Sequence, residues 1–313
     1  QGSSNSLSPF GSHSSIMPHL LLYVSSVFVP LSSIRSTAAC VILAVCFLVG
    51  TPGNLLVVWT ILKHVKQRSH TVLLILHLSI ADLLVLITLP LWIYSLARSW
   101  VFGKAACKAM VYIIYSCMYS SVFIITIMSV ERFLAIRYPF KMLSWKNETA
   151  MFRLLLVTWI LSLLLGIPVI LTQSLDDEDD GTGHCLHRVY NSLSFEVFCM
   201  CLETLLGFVI PFFTLAICYC QVAAQLRKVR FRAKKKSVFL IGGVVVAFIL
   251  CWLPHHVLNV ISLVDILRGE SEEASAISDS AIFIFGSLAF ISSSVNPVLY
   301  AFASRTFHGS LKK

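Results

Sequence analysis

Ser129 to Phe140 reads SVERFLAIRYPF. A glutamate and an arginine stand side by side at the end of a long, almost wholly apolar run. In water such a pair is ordinary. In lipid it is costly and marks function. What surrounds the rest of the chain therefore decides how this stretch is read.

The chain has 313 residues, of which 57% are hydrophobic and 12% charged. A soluble domain carries roughly 25% charged residues. Mean hydropathy is +0.84. The apolar residues fall into seven blocks, roughly 37–62, 71–97, 105–137, 151–172, 196–226, 237–267 and 281–303. A run of about 20 apolar residues crosses the hydrocarbon layer as a helix. Isolated strands in lipid would leave backbone polar groups unpaired. A barrel would need alternating segments of about 10 residues, and the sequence shows none. The expected fold is an all-α membrane protein, a seven-transmembrane helix bundle over 37–303. It is preceded by an N-terminal tail, 1–36. It is followed by 304–313, where a short cytoplasmic helix is expected to begin at Ser304–Phe307.

Charge sets the orientation. Lys63, Lys66 and Arg68 follow block 1; Arg137, Lys141 and Lys146 follow block 3, with Arg153 just beyond. Seven basic residues from Arg227 to Lys236 follow block 5, and Arg305, Lys312 and Lys313 lie in the tail. The alternate loops are acidic, with Asp176, Asp177, Glu178, Asp179 and Asp180 in one and Glu270, Glu272 and Glu273 in another. Excess Lys and Arg mark cytoplasmic loops, which puts the N-terminus outside. The net charge of +9 thus reports topology, and no nucleic-acid partner is needed to explain it. The basic segments suit membrane lipids of negative charge.

Eight of the ten cysteines, Cys40, Cys46, Cys117, Cys199, Cys201, Cys218, Cys220 and Cys251, lie in apolar blocks and read as small buried hydrophobes. Cys107 opens block 3 on the outer side, and Cys185 lies in an outer loop. A disulfide between them is the natural reading in an oxidising compartment; two free thiols are the alternative. Within the first 36 residues, His19–Val29 is apolar but too short to span. It reads as part of a flexible outer tail or, without a preceding Lys or Arg, less well as a signal-peptide core.

Polar residues inside the blocks are the informative ones. Asp82 sits mid-membrane and should be neutral, paired or ligating a cation. Asn54, Ser121, Ser293 and Asn296 fall at similar depth, so a structural Na⁺ at Asp82 and a protonated, hydrogen-bonded Asp82 both fit. Pro90, Pro168, Pro211, Pro254 and Pro297 fall inside blocks and predict kinks. Trp252 stands two residues before Pro254, a rigid side chain at a hinge.

Asn54, HLSIADLL with Asp82, Cys107, SVERF, Trp159, Pro211, CWLPHH and NPVLY occur once each, in order, one set per block. Together they resemble the rhodopsin-like (class A) G-protein-coupled receptors over residues 37–310. That resemblance implies a plasma-membrane receptor, no enzyme and no cofactor, whose partners are an extracellular agonist and a heterotrimeric G protein. Glu131–Arg132–Phe133 is similar to the family's Asp/Glu-Arg-Tyr motif, with Arg132 paired to Glu131 when inactive. On activation Arg132 turns toward Tyr219, and Tyr300 moves in beside it. Pro211, Val122 and Phe248 resemble the packing switch, Trp252 stands by Pro254, about which the sixth helix swings outward, and Asn296 and Pro297 belong to the NPVLY motif of the activation switch.

Within the family, FISSSVNPVLYA (Phe290–Ala301), SCMYSSVFIITIMS (Ser116–Ser129), ETLLGFVIPF (from Glu203) and LRKVRFRAKKK resemble leukotriene B4 receptors among the chemoattractant receptors. The resemblance implies a ligand pocket of Met118, Tyr119, Glu203, Trp252, His256 and Asn259, with His255 in place of a Tyr. It implies an inhibitory-class G protein. Basic residues of those receptors are replaced here by Gln173, Glu196, Val111 and Cys199, leaving Arg188, Arg98 or Arg268 as candidate substitutes. The acidic loops point the other way, toward a basic chemoattractant peptide, or are merely solvated. A leukotriene-type lipid agonist is the first expectation and a peptide agonist the second.

Other classes fit less well. A transporter would be expected to show paired repeats, and a channel a filter or charged ring. His255 and His256 are neighbours and point about 100° apart on a helix, too far to share a metal.

Overall fold

The computed structural model describes residues 16–65, 69–138, 148–175, 185, 188–227, 232–269, 287–288 and 290–297. Among them six helices are long and apolar enough to cross a membrane: Ser36–His64, His70–Ala97, Gly103–Arg137, Thr149–Thr172, Leu193–Gln225 and Val245–Arg268. Each overlaps one of the first six expected blocks. The seventh block is described only at 287–288 and 290–297, which are helical. Tyr300 and the expected helix at Ser304–Phe307 lie outside the described residues, as do Asp176–Asp180, Glu270, Glu272 and Glu273.

In chain order the helices are α1 (Ile16–His64), α2 (His70–Leu86), α3 (Leu89–Ala97), α4 (Gly103–Arg137), α5 (Glu148–Thr172), α6 (Leu193–Thr204), a π-helical turn (Leu205–Val209), α7 (Ile210–Arg227) and α8 (Arg232–Arg268). The helix of 290–297 is called α9. One expectation fails at once. The backbone is helical from Ile16 and continuous with the first span, where a flexible tail was expected to position 36. His19–Val29 contains neither Gly nor Pro, and the helix runs on through Pro30 into the span.

Local chemistry sets the starts. Ser69 accepts from the Val72 amide, and Ser192 from the Phe195 amide, capping α2 and α6. Gly103 opens α4 at φ +79°, a left-handed backbone that favours glycine. Its carbonyl accepts from Trp100 Nε1 at 2.9 Å.

The prolines act in different ways. Pro90 ends the second block as one helix: the chain breaks at Ile87–Thr88 and restarts as α3, with Pro90 in its first turn. The Thr88 hydroxyl donates to the Val85 carbonyl at 2.6 Å and closes the gap. Pro168 and Pro254 sit inside continuous helices. Near Pro168, the Tyr112 hydroxyl of α4 donates to the Leu163 carbonyl, so a neighbouring helix serves this weakened stretch of α5. Pro211 follows the π turn, in which the Ile210 amide reaches back to the Leu205 carbonyl.

α4 lies at the centre of the bundle. Val122, Ile124, Ile125 and Met128 are buried against Leu74 and Leu78 of α2, Leu155 of α5, Leu215 of α7 and Phe248 of α8. Outward faces carry large exposed apolar side chains such as Leu48, Leu56, Leu164, Leu171, Phe213, Ile217 and Leu250, the surface a bilayer requires. This corrects one reading of the cysteines. Cys46, Cys117, Cys199, Cys218 and Cys251 are buried, but Cys40 and Cys201 are half-buried and Cys220 is exposed. A lipid-facing position needs only to be apolar. Cys107 and Cys185 are joined by a disulfide with Cα atoms 5.7 Å apart. It ties the loop before α6 to the start of α4.

Helices approach most closely where glycine stands. A Cβ on Gly53 would lie 2.8 Å from Pro297 Cβ, and one on Gly166 would meet Ser116 and the Tyr112 ring. Gly166→Ala therefore forces α4 and α5 apart. It is expected to cost about 1–3 kcal/mol, read as a lowered unfolding temperature of the purified protein, whereas Leu164→Ala on the outward face should leave that temperature nearly unchanged.

Candidate functional site

Three polar clusters interrupt the apolar interior. The first is built on Glu203, 6% exposed near the end of α6. One carboxylate oxygen, Oε1, accepts from His255 Nε2 at 2.7 Å and from Asn259 Nδ2 at 3.4 Å, both on α8. The other, Oε2, faces Arg188 Nη1 at 3.4 Å. His255 and Asn259 are one helical turn apart, which is why both reach one carboxylate.

Arg188 comes from the loop after the disulfide. Its backbone pairs with Gln173 in an antiparallel bridge, and the Val189 amide donates to the Thr172 carbonyl at 2.8 Å. The guanidinium lies 4.6 Å from the Tyr115 ring centroid, and Nη1 donates to the Tyr190 hydroxyl at 3.4 Å. Burial opposes the charge of Arg188, but its neighbours, Tyr115 and Glu203 foremost, push its pKa well above the ordinary value. Burial pushes the Tyr190 phenol up, so it stays a neutral hydroxyl. Tyr119, Leu165, Pro168, Val169, Thr172, Cys199 and Leu202 complete a small cavity with Arg188 and Glu203.

Below Glu203 the π turn sets Gly207 and Phe208 against α8. His256 is 2% exposed, its ring stacks on Phe208 at 5.0 Å, and neither ring nitrogen has a hydrogen-bond partner among the described residues. His255 and His256 diverge as their spacing predicts, one to a carboxylate and the other to an aromatic ring. Phe208 also packs on Phe212 and Phe248, and Phe248 on Trp252. An aromatic column thus runs from the Glu203 cluster to the second cluster.

That cluster holds Asp82, 1% exposed. Its Oδ2 accepts from Asn296 Nδ2 at 2.8 Å. Asp82, Ser121, Ser293 and Asn296 line one cavity together with Met118, Phe248 and Trp252. Asn54 stands beside it and donates to the carbonyls of Gly50 and Ser293, both at 3.0 Å. Met118, expected in the ligand pocket, belongs to this lining, as does Trp252.

The third cluster answers the question of Glu131 and Arg132. The expected direct pair is mediated by a third residue. The Thr71 hydroxyl of α2 donates to the Glu131 carboxylate, 2.9 and 3.2 Å from its two oxygens, and accepts from Arg132 Nη2 at 2.8 Å. Adjacent residues on a helix point in different directions, so a group on the facing helix closes the link. Tyr219 of α7 lies across α8 at Gly242, where a Cβ would meet its hydroxyl at 2.7 Å.

Sequence reasoning missed Thr71, Tyr115, Tyr190, the π turn and His77, whose Nδ1 accepts from Trp159 Nε1 at 3.1 Å. Only the π turn had a signal, Gly207 four residues before Pro211. Of the proposed basic substitutes, Arg188 reaches the cavity; Arg98 and Arg268 are exposed. Among the described residues no group of three or more His, Cys, Asp or Glu could hold a metal ion.

A sequence profile described as "7 transmembrane receptor (rhodopsin family)" matches residues 53–300. The human leukotriene B4 receptor 1 is 36% identical over 272 residues, covering 86% of this chain and 77% of its own. The rat leukotriene B4 receptor 1 is 39% identical over 268 residues, covering 84% and 75%. The mouse C-X-C chemokine receptor type 2 is 31% identical over 284 residues, covering 89% and 79%.

Asn296→Ala removes a donor to the buried Asp82 carboxylate. The expected cost is about 1–3 kcal/mol, seen as a fall in unfolding temperature that Ser292→Ala does not reproduce.

Proposed function

The chain belongs to the rhodopsin family of seven-transmembrane receptors, and from that premise we propose that it binds a leukotriene B4-type lipid from outside and activates a heterotrimeric G protein of the inhibitory class. Members of this family are receptors and not enzymes, and the chain is a multi-pass membrane protein. The N-terminus is outside, in keeping with the basic loops after the first, third and fifth spans.

The observation that most supports a lipid is the state of Glu203. A cationic peptide reaching this depth would seek an acid without a counter-charge. Glu203 already faces Arg188 and accepts from His255 and Asn259, and the cavity beside it is walled by Leu165, Pro168, Val169 and Leu202. Apolar walls around an internally balanced polar group suit a lipid. Met118, Tyr119, Trp252, His255, His256 and Asn259 complete the proposed site.

The mechanism is a shift between two bundles of similar free energy. Ligand contacts at Glu203, His255 and Asn259 bear on α8 above Pro254. The column through Phe208, Phe248 and Trp252 carries the change toward Asp82 and Asn296. Val122 and Pro211 frame that column, and Pro297 packs beside Gly53. Outward motion of α8 frees Arg132 from Thr71 and Glu131 and lifts Gly242 from Tyr219; Tyr300 is expected to join them. Asp82, Ser121, Ser293 and Asn296 present the hard oxygen donors that a Na⁺ accepts. Such an ion would neutralise the buried carboxylate and hold the inactive bundle.

Cells that express this chain should activate an inhibitory-class G protein with a saturating response to nanomolar leukotriene B4. Silence with surface expression verified would overturn the lipid reading, and basic peptides would then be the ligands to test. Arg132→Ala should abolish activation while ligand binding persists. Thr71→Val, which keeps shape and removes the hydroxyl, should raise agonist-free nucleotide exchange severalfold; unchanged basal exchange would remove Thr71 from the switch.

A further inference from the structure

Arg188 and Glu203 form an ion pair that is uneven. Glu203 is held by α8 through a 2.7 Å bond from His255, and Arg188 meets it only at 3.4 Å. Charge-assisted bonds are normally about 2.7–2.9 Å. The second bond from Nη1, to Tyr190, is also 3.4 Å. A guanidinium has five N–H donors; those of Nη1 serve Tyr190 and Glu203, and Tyr115 also draws on the group. The side chain of Arg188 is 22% exposed, against 7% for Glu203. Arg188 is thus the partner nearer the opening, the one with spare donors and the one held loosely.

We propose that Arg188 is the anion anchor of this pocket: the carboxylate of a lipid agonist takes the guanidinium from Glu203 and leaves the Glu203 charge to His255 and Asn259 on α8. This rests on the lipid reading above. Gln173, Glu196, Val111 and Cys199 offer the ligand no cation, so the anchor must come from another element. The backbone bridge of Arg188 to Gln173 and the nearby Cys107–Cys185 disulfide fix where that loop arginine enters. The Tyr115 ring beneath the guanidinium at 4.6 Å supports the cation whichever carboxylate it faces. Transfer of Arg188 also changes the charge balance of α8 without any new contact to that helix, and so couples the loop to the helix that carries Pro254.

The test compares leukotriene B4 with its methyl ester, which keeps the chain and removes the negative charge. Binding is measured on purified receptor in lipid nanodiscs. The wild type should prefer the acid by on the order of tenfold to a hundredfold, the value of a hydrogen bond to a charged group. Arg188→Gln should bring acid and ester to near equality. Glu203→Gln should keep or enlarge the preference, because the internal competitor for Arg188 is gone. A mere folding role for Arg188 would weaken both ligands together and leave their ratio intact. Without ligand, each single variant should lower the unfolding temperature, and Arg188→Gln with Glu203→Gln together should recover part of it. An acid preference that survives in Arg188→Gln overturns the anchor and leaves lipid binding standing. If neither acid nor ester binds a wild type that unfolds cooperatively, the lipid reading itself fails, and the anchor with it.

Discussion

Inside a bilayer every backbone N–H and C=O has to find a partner within the protein. The architecture follows from that constraint, and the departures from ideal helix show where the chain meets it by other means. At Pro90 the helix stops and Thr88 bonds back to Val85. Beside Pro168 the helix continues while Tyr112 reaches across to Leu163. Ahead of Pro211 the ladder widens to a π turn. Each departure stands within a few residues of a proline, and one of these prolines, Pro168, lines the cavity around Glu203. Lys108 of α4 adds a further tie, donating to the Ile170 carbonyl near the end of α5 at 2.8 Å.

The same solvent governs side chains. Several polar residues in the interior are matched by another from a different helix: Glu203 by His255, Asp82 by Asn296, Arg132 by Thr71 and Trp159 by His77. Such pairs hold helices that apolar contact alone would not orient, because lipid tails are as apolar as leucine. They also make the bundle responsive. A bond between two helices can be exchanged for another, and an aromatic column through Phe208, Phe248 and Trp252 joins two of these clusters.

Much of this was legible in the sequence, for a physical reason. Spans are long and apolar, so five of them appear within three residues of their expected limits, and the outer cysteines pair as their compartment predicts. Asp82 and Asn296 were named because polar residues stand out against an apolar background, whereas Glu203, His255 and Asn259 were named through the resemblance to leukotriene B4 receptors. Partners supplied by ordinary-looking positions were not named. Thr71 is one threonine at the start of a helix, and Tyr115 one aromatic among many; only the facing helix gives them a role. The helical stretch before position 37 was missed because a run too short to span was assigned to the tail.

The π turn at Leu205–Val209 has a consequence for angular phase. A helix advances about 100° per residue, and the turn accommodates one residue more than an α-helix of equal rise. The outer segment that bears Glu203 and the inner segment that bears Phe212 and Tyr219 are therefore set against each other by that extra step. Were the turn to relax to regular α-helix with its ends fixed along the axis, Glu203 would rotate away from α8 while Tyr219 kept its bearing. The two ends of this span are indexed separately, and a single surplus residue is the vernier between them.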